Sequence, residues 1–341
     1  MRGIDLRRYR FDTDLTFAVL WMNADGTVYH RYGGRDVRGA GQWLSTASLK
    51  IGMQASLTAH QAHQVLPAAN AGEPLVMERI PSFVKRDKGK CIHCHSVQPA
   101  LYEEELAAGT WTQEKTWRYM PPSRIGLDLN RDDQRRIADI APNSAAADAG
   151  LRIGDRLVSV SGQPMATASD LMFELDQYAA SGGKMVVEYL RSDEVKRTVL
   201  NLTDGWKTGT PLDFSWRPFK WGLTPAPGFG GPQLKRPELL DLGLIQSNHA
   251  GELPFAFRVS YLVTWGDNKR FGDAVSKAGL LKGDIFLSAK LADTKKQPEV
   301  RFTSGEHFHS WWRLTRTAGE TMELDLLRGE ERRVIRLKVI E

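Results

Sequence analysis

The segment Lys90-Cys91-Ile92-His93-Cys94-His95 holds both cysteines of the 341-residue chain and two of its eight histidines. Two thiols at this spacing can add to the two vinyl groups of one porphyrin while the adjacent imidazole takes the iron. Attachment of one haem c by Cys91 and Cys94, with His95 as the metal ligand, is therefore the first expectation. Two alternatives use the same residues. The thiols can cycle between dithiol and disulfide. They can also bind zinc, with His93 or another histidine completing the set, although no second ligand pair stands at the usual spacing. If haem is bound, the ligand opposite His95 sets the chemistry: a thioether favours electron transfer, a histidine gives a lower-potential centre, and an open position admits ligands. Met120, in Met120-Pro121-Pro122, is the thioether candidate, with a packed loop residue as its plainer role. His60 and His63, on one face of an expected helix, are the histidine candidates. His307 and His309 are expected on a helix surface, His30 on a hairpin and His249 in a loop.

Bulk composition narrows the setting. The apolar fraction is 41%, the charged fraction 26% and the net charge +5, ordinary for a folded globular chain. The basic residues are dispersed, with no basic stripe interleaved with aromatics, which argues against nucleic-acid binding. No apolar run reaches membrane-spanning length. Met1 to Leu6 does not begin a signal peptide, yet covalent haem is attached outside the cytoplasm. Either the motif does not bind haem or the true N-terminus precedes Met1; with haem bound, a periplasmic or otherwise extracytoplasmic protein is expected. No Gly-x-Ser-x-Gly or Gly-Asn-Ser-Gly-Gly run occurs, so a proteolytic role is a poor reading and an enzyme is not favoured.

The elements that must position the cysteines are read in order. Leu15–Met22 and Thr27–Tyr32, joined by Asn23-Ala24-Asp25-Gly26, predict a β-hairpin. A helix follows from about Gln42 to His63, with one row of Leu44, Ala47, Ile51 and Ala55 and a second of Leu49, Met53 and Leu57, so it should be covered on two sides. Strand, strand and helix resemble the C-terminal half of a thioredoxin-like fold, without the half that would carry its redox cysteines. A polar loop, Lys85 to Lys90, leads into the cysteines, as in small cytochromes c. A short helix from Pro99 to Ala108 follows, and Trp111, Trp117 and Tyr119 are aromatics able to wall a porphyrin.

From residue 124 the pattern changes. Short strands at Ile125–Leu129 and Arg136–Ile140 precede a small-residue helix, then Ala149-Gly150-Leu151-Arg152-Ile153-Gly154-Asp155 and a strand ending at Gly162. A helix at Ser169–Tyr178 and strands at Lys184–Arg191 and Val195–Leu202 close the segment. This order resembles a bacterial PDZ domain. Ala278-Gly279-Leu280-Leu281-Lys282-Gly283-Asp284 repeats it, followed by a helix at Ser304–Arg316 and strands at Thr321–Arg328 and Arg332–Val339, so an internal duplication and a second PDZ domain are expected. The second copy carries an insertion, Thr264 to Arg270. The Trp-, Pro- and Gly-rich linker before it should pack rather than float.

The resemblance implies how these domains act. A PDZ domain adds an extended peptide to a sheet edge, with loop amides holding its terminal carboxylate. In the first copy Ile125, Gly126 and Leu127 match that loop, and Leu129 and Leu171 would line the side-chain pocket. In the second copy Gly228, Phe229 and Gly230 are the candidates. Either groove can instead be filled by the protein itself, the domain then acting only as a scaffold.

The order of parts resembles a multidomain family of exported, planctomycete-like bacterial proteins with a thioredoxin-like segment, a Cys-x-x-Cys-His segment and tandem PDZ domains. The expected fold class is α+β and multidomain: a partial thioredoxin-like α/β segment (1–70), a haem-type loop segment (71–123), a PDZ-like β-barrel or sandwich domain (124–204), a linker (205–225) and a second such domain (226–341). The expected function is extracytoplasmic redox or electron transfer through one covalent haem c. The PDZ domains would dock a protein or C-terminal peptide beside a redox partner. The alternative is a non-enzymatic PDZ scaffold whose cysteines form a redox-active disulfide or bind zinc.

Overall fold

The computed structural model describes residues 1–63, 72–87, 89, 91–209, 211–214, 216–292 and 300–341. The chain divides into two compact units, Met1–Gly209 and Thr210–Glu341.

Unit 1 opens with the hairpin β1 (Ala18–Met22) and β2 (Val28–Gly33), antiparallel with Leu20 opposite Arg31. Helix α1 (Thr46–Gln61) follows, its first turn capped by the Ser45 hydroxyl, which accepts from the Ser48 amide. Such a cap satisfies a donor the helix cannot pair internally. Neither apolar row expected on this helix is fully covered: Ala47 of the first and Met53 and Leu57 of the second are exposed, and the buried residues are Ser48, Gly52 and Ser56.

Helices α2 (Pro81–Asp87) and α3 (Val97–Ala107) bracket the cysteines. Of the lead-in read from the sequence as a polar loop, Lys85 to Asp87 are the last turn of α2 and Gly89 is in a turn, while positions 88 and 90 lie outside the described residues. Phe83 of α2 is buried with Met77, Ile80, Ile92, Val97 and Ala100 in a small separate core.

The rest of unit 1 comprises β3 (Leu127–Leu129), β4 (Ile137–Ile140), α4 (Ala145–Asp148), β5 (Arg156–Val160), β6 (Gln163–Pro164), α5 (Ala168–Gln177), β7 (Gly183–Arg191) and β8 (Glu194–Leu202). Strands β3 and β4 pair with each other, and the larger sheet has the order β6-β5-β7-β8. The first strand is shorter than the sequence suggests because Pro122–Ile125 forms a 3₁₀ turn ahead of it. The turn ends at Gly126 in a left-handed conformation, which glycine adopts without steric cost.

Unit 2 contains β9 (Phe229–Gly230), α6 (Arg236–Asp241), β10 (Phe257–Arg258), β11 (Tyr261–Leu262), α7 (Lys269–Lys277), β12 (Ile285–Leu291), α8 (Gly305–Thr315), β13 (Thr321–Arg328) and β14 (Glu331–Lys338). Its main sheet has the order β10-β12-β13-β14, and β9 pairs with β11. An aromatic core of Phe229, Phe257, Phe286, Phe302, Phe308, Trp311 and Trp312 fills it. The linker read as 205–225 is divided between the units. Trp206 belongs to unit 1, where its indole N–H donates to the Ala179 carbonyl at 2.8 Å. Phe214, Phe219 and Leu223 are buried in unit 2.

Each unit has the same internal set of hydrogen bonds, and the order of the three long strands is the same, β5-β7-β8 in one and β12-β13-β14 in the other. In unit 1, Ala141 N–H donates to Gly126 O (2.9 Å), Gly154 N–H to Ile137 O (2.9 Å) and Ile137 N–H to Asp155 O (2.9 Å). In unit 2, Val263 donates to Gly228 (2.8 Å), Gly283 to Val259 (2.8 Å) and Val259 to Asp284 (2.8 Å). This matching pairs Gly228 with Gly126 and Phe229 with Leu127.

Candidate functional site

Strand β3 and helix α5 are the two elements expected from the sequence on either side of a peptide groove in unit 1. Cross-strand bonds from β3 to β4 are made by Gly126 and Asn130, whose amide donates to Arg136 O at 2.9 Å. The intervening backbone groups of Leu127 and Leu129 therefore face the other edge, and among the described residues no strand pairs there. An unpaired edge is a template for strand addition. A Cβ at Gly126 would collide with the Ser144 side chain, so only glycine fits the turn that starts this edge.

The helix wall follows from its cap. Thr167 and Asp170 form a capping box, each side chain accepting from the other's backbone. Asp170 also binds outside the helix, where its carboxylate accepts the Arg31 amide (2.8 Å) and meets His30 Nδ1 (3.1 Å). His30 is thus buried against the helix, with little exposed surface. Gln134 ties the groove's N-terminal end, accepting from the Ala168 amide at 3.0 Å and donating to the Trp43 carbonyl at 2.9 Å. Near the helix C-terminus, Asp176 takes two bonds from Arg118 (2.7 and 2.8 Å) and one from the Tyr119 amide. Burial opposes ionisation of Asp176, but the Arg118 hydrogen bonds hold its pKa below the ordinary value.

Of the groove residues expected from sequence, Ile125, Gly126, Leu127, Leu129 and Leu171 lie together in unit 1, all buried. Leu171 stands where unit 2 has Phe308, whose ring lies 4.6 Å from that of Phe286 in the core. The next helix residue, Met172, is the wall residue missed from sequence. Its methyl would lie 3.2 Å from a Cβ at Gly34. The missing signal was the position of the cap: counting from Thr167 and from Ser304 aligns Met172 with His309.

In unit 2, Gly228, Phe229 and Gly230 stand opposite α8. A Cβ at Gly230 would collide with the Tyr261 hydroxyl and lie 3.2 Å from His309 Nε2. His309 is not on the surface as expected, nor is His307; both are buried. Trp221 lies over His309 with ring centroids 4.8 Å apart. Burial and the nearby Arg313 and Lys220 cations push the His309 pKa down to about 3. Burial also lowers that of His307.

The cysteine segment is built differently. Cys91 and Cys94 are free thiols, the first exposed and the second half-buried, with Cys94 Sγ 3.5 Å from the Leu15 carbonyl. His95 is exposed, and its ring is stacked on His93 at 5.3 Å and 9°. Reachable thiols and a reachable imidazole at the start of a helix fit thioether attachment and one iron ligand. Met120 has no exposed surface and follows Tyr119, which is held to α5. His60 accepts or donates a 3.0 Å bond with the Tyr29 hydroxyl, and His63 Nε2 meets Asp25 at 2.8 Å. The imidazole hydrogen bond helps hold the Asp25 pKa down to about 2, after the larger contribution of the Thr27 amide. For zinc, no group of three or more His, Cys, Asp or Glu side chains converges among the described residues.

Comparison with known proteins identifies one domain in unit 1. Residues 136–199 match the family model described as PDZ domain, so unit 1 contains a PDZ domain. A 63-residue stretch is 40% identical to a Brucella suis biovar 1 (strain 1330) protein named "Probable periplasmic serine endoprotease DegP-like", covering 18% of this chain and 12% of the relative. The chain thus spans about an eighth of the length of the curated relatives it matches. Solved structures with local similarity include the serine endoprotease from Yersinia pestis (21% identity, 24% of this chain, 28% of that chain, TM-score 0.21). Another is the HtrA3 PDZ domain bound to a phage-derived ligand (20% identity, 23% of this chain, 82% of that chain, TM-score 0.20). No helix among the described residues is long and apolar enough to cross a membrane.

Proposed function

We propose that the protein binds extended or C-terminal peptide segments of partner proteins by strand addition to β3. The observation that carries this reading is the unpaired edge of β3, where the backbone groups of Leu127 and Leu129 face outward beside the Gly126 turn. Backbone bonds at such an edge supply affinity, and side-chain pockets supply selectivity. The HtrA3 PDZ structure, which holds a peptide-like ligand, supports the same use of the groove. Unit 2 reads as a second copy of the fold on the strength of its matched hydrogen bonds. Selection against a displayed library of C-terminal heptapeptides, followed by titration of the recovered peptides, tests the reading. Saturable binding that Leu129→Pro abolishes is expected, because proline removes the outward amide while remaining tolerable on an edge strand. Absence of any saturable ligand, or unchanged binding in a folded Leu129→Pro variant, overturns it.

We further propose, for the cysteine segment, that Cys91 and Cys94 attach haem c with His95 on the iron, in an extracytoplasmic compartment such as the periplasm named for the Brucella relative. The free, reachable thiols at the start of α3 support this. Bound there, the group would supply one-electron transfer. The chain's own part is to hold His95 by the turn that opens α3, anchored through Ile92 and Val97 in the small core. Production with a cytochrome c maturation system should give a haem absorption band that survives denaturation and is lost in Cys91→Ala/Cys94→Ala. A colourless protein under those conditions overturns the assignment, and a dithiol–disulfide couple titrated in that protein would favour the redox-active scaffold.

A further inference from the structure

We infer that the PDZ groove of unit 1 is held shut by the chain's own segment Gly34–Leu44, which a peptide ligand must displace. This rests on the peptide-binding reading above and adds its regulation.

The segment spans from one wall of the groove to the other. At the helix wall, Gly34 sits against Met172, closely enough that a Cβ would lie 3.2 Å from the Met172 methyl and 3.4 Å from Trp43 Cδ1. At the strand wall, Arg38 donates to Asp128 of β3 at 2.8 Å while also paired with Asp36. Around Arg38 the chain makes a tight turn, closed by the Gly39 amide donating to the Asp36 carbonyl at 3.0 Å. Trp43 is fully buried, and its carbonyl accepts from Gln134, the residue that also caps α5. The Leu44 carbonyl accepts from Arg131, just past β3, at 2.6 Å. The side chains of Leu127 and Leu129 are buried, although their backbone edge is unpaired.

This closure leaves costs that a ligand would relieve. The segment covers the groove with side chains and does not pair with β3. Trp43 Nε1 is buried with no hydrogen-bond partner among the described residues, and a buried donor left unpaired is costly. An added peptide strand would make the missing backbone bonds and return the indole N–H to water. Unit 2 repeats the arrangement with a different segment. Trp221 covers His309, the counterpart of Met172, and the Leu223 carbonyl accepts from Arg313, the counterpart of Asp176. Two grooves of one fold, each covered by the stretch of chain that precedes it, point to closure as a built feature of the duplicated domain.

Two variants of the full chain test the closure. Arg38→Glu places a carboxylate beside Asp128 and the buried Asp36 at an exposed position without removing any apolar side chain; Trp43→Ala removes the buried ring. Hydrogen exchange of fragments covering β3 and α5 should rise at least tenfold in both variants, with β7 and β8 unchanged. Peptides recovered from the C-terminal heptapeptide library should bind both variants at least tenfold more tightly than the parent chain. Unchanged exchange at β3 and α5 in Arg38→Glu, or equal peptide affinity in parent and variants, overturns the closure. If exchange rises as expected but no chain binds any peptide, the closure stands and the peptide-binding reading falls.

Discussion

Asp284 repeats in unit 2 the position that Asp155 holds in unit 1. Asp155 accepts two bonds of 2.7 Å from Arg191 and one of 2.8 Å from the Arg152 amide. Asp284 accepts two of 2.7 Å from Arg328 and one of 2.9 Å from the Leu281 amide. Each arginine also reaches a glycine carbonyl, Gly150 in one unit and Gly279 in the other. The aspartate thus ties the turn before β5 or β12 to the end of the neighbouring strand.

Removing the charge at this position should loosen one unit at a time. Asp284→Asn keeps the size of the side chain but weakens bonds that are charge-assisted and largely buried, at a cost of about 2–3 kcal/mol. Amide exchange in β12 and β13 should rise in Asp284→Asn and that in β5 and β7 in Asp155→Asn, each without the other. The Asp284 pKa is lowered: burial, the largest single effect, raises it, but the Arg328 hydrogen bonds, the Leu281 amide and the nearby arginine charges together outweigh burial. Its ion pair therefore stabilises unit 2 above the ordinary carboxylate pKa of about 4 and is lost as pH falls through the lower folded value.

His309 should make unit 2 sensitive to mild acid. Its folded pKa of about 3 lies below the unfolded value, so the unfolded chain binds the proton first. Between those values stability falls as pH falls, by up to about 1.4 kcal/mol per pH unit from this group. Above the unfolded value near 6.5 the effect vanishes. Urea unfolding from pH 7.5 to 5, followed by a probe in α8, should show this slope. His309→Leu should flatten it, leaving the smaller contribution of His307. An equal slope in the variant would contradict the burial of a neutral imidazole.

Asp170 joins the N-terminal hairpin to the PDZ helix, and Asp170→Ala should release both. The substitution removes the capping-box acceptor and the acceptor for Arg31 and His30, all at a site with little solvent. A cap is worth about 1 kcal/mol and an orphaned buried donor about 1–3 kcal/mol. The thermal midpoint of unit 1 should fall by several degrees, and exchange should increase in β2 and in the first turn of α5. Asp170→Asn should recover part of the loss by keeping an acceptor oxygen.

What could be read from the sequence was local. The Ala-Gly-Leu and Gly-Asp spacing placed both duplicated turns, and alternating apolar residues placed β7, β8, β13 and β14 within a residue or two. Gly126 and Gly228 were recognisable as turn glycines because left-handed backbone narrows the choice of residue. The covers were not recognisable. Nothing in the spacing of Gly34, Arg38 and Trp43 says that they cross a groove formed some ninety residues later, since that contact depends on the fold of two distant elements. The exposure assigned to His307 and His309 failed for the same reason: an aromatic linker segment buries a helix face that its own sequence leaves polar. The apolar row of Met53 and Leu57 failed in the opposite direction, because periodicity marks a face and not its partner.

The two thiols should differ in reactivity when no group is attached to them. Cys91 is exposed, whereas Cys94 is half-buried with its Sγ against the Leu15 carbonyl. The thiolate attacks the alkylating reagent and displaces iodide, and the rate depends on the reagent's access to the sulfur. Iodoacetamide should therefore label Cys91 several-fold faster than Cys94 in the folded chain and at equal rates in denaturant, read by peptide mass mapping. Leu15→Pro, which disturbs the approach to the first strand, should raise the Cys94 rate toward that of Cys91. Chain matured with haem should label at neither cysteine even in denaturant, because a thioether has no thiol left to react. Labelling of both cysteines in matured chain would mean that the motif presents a dithiol, and the redox-active scaffold would then be the better account of this segment.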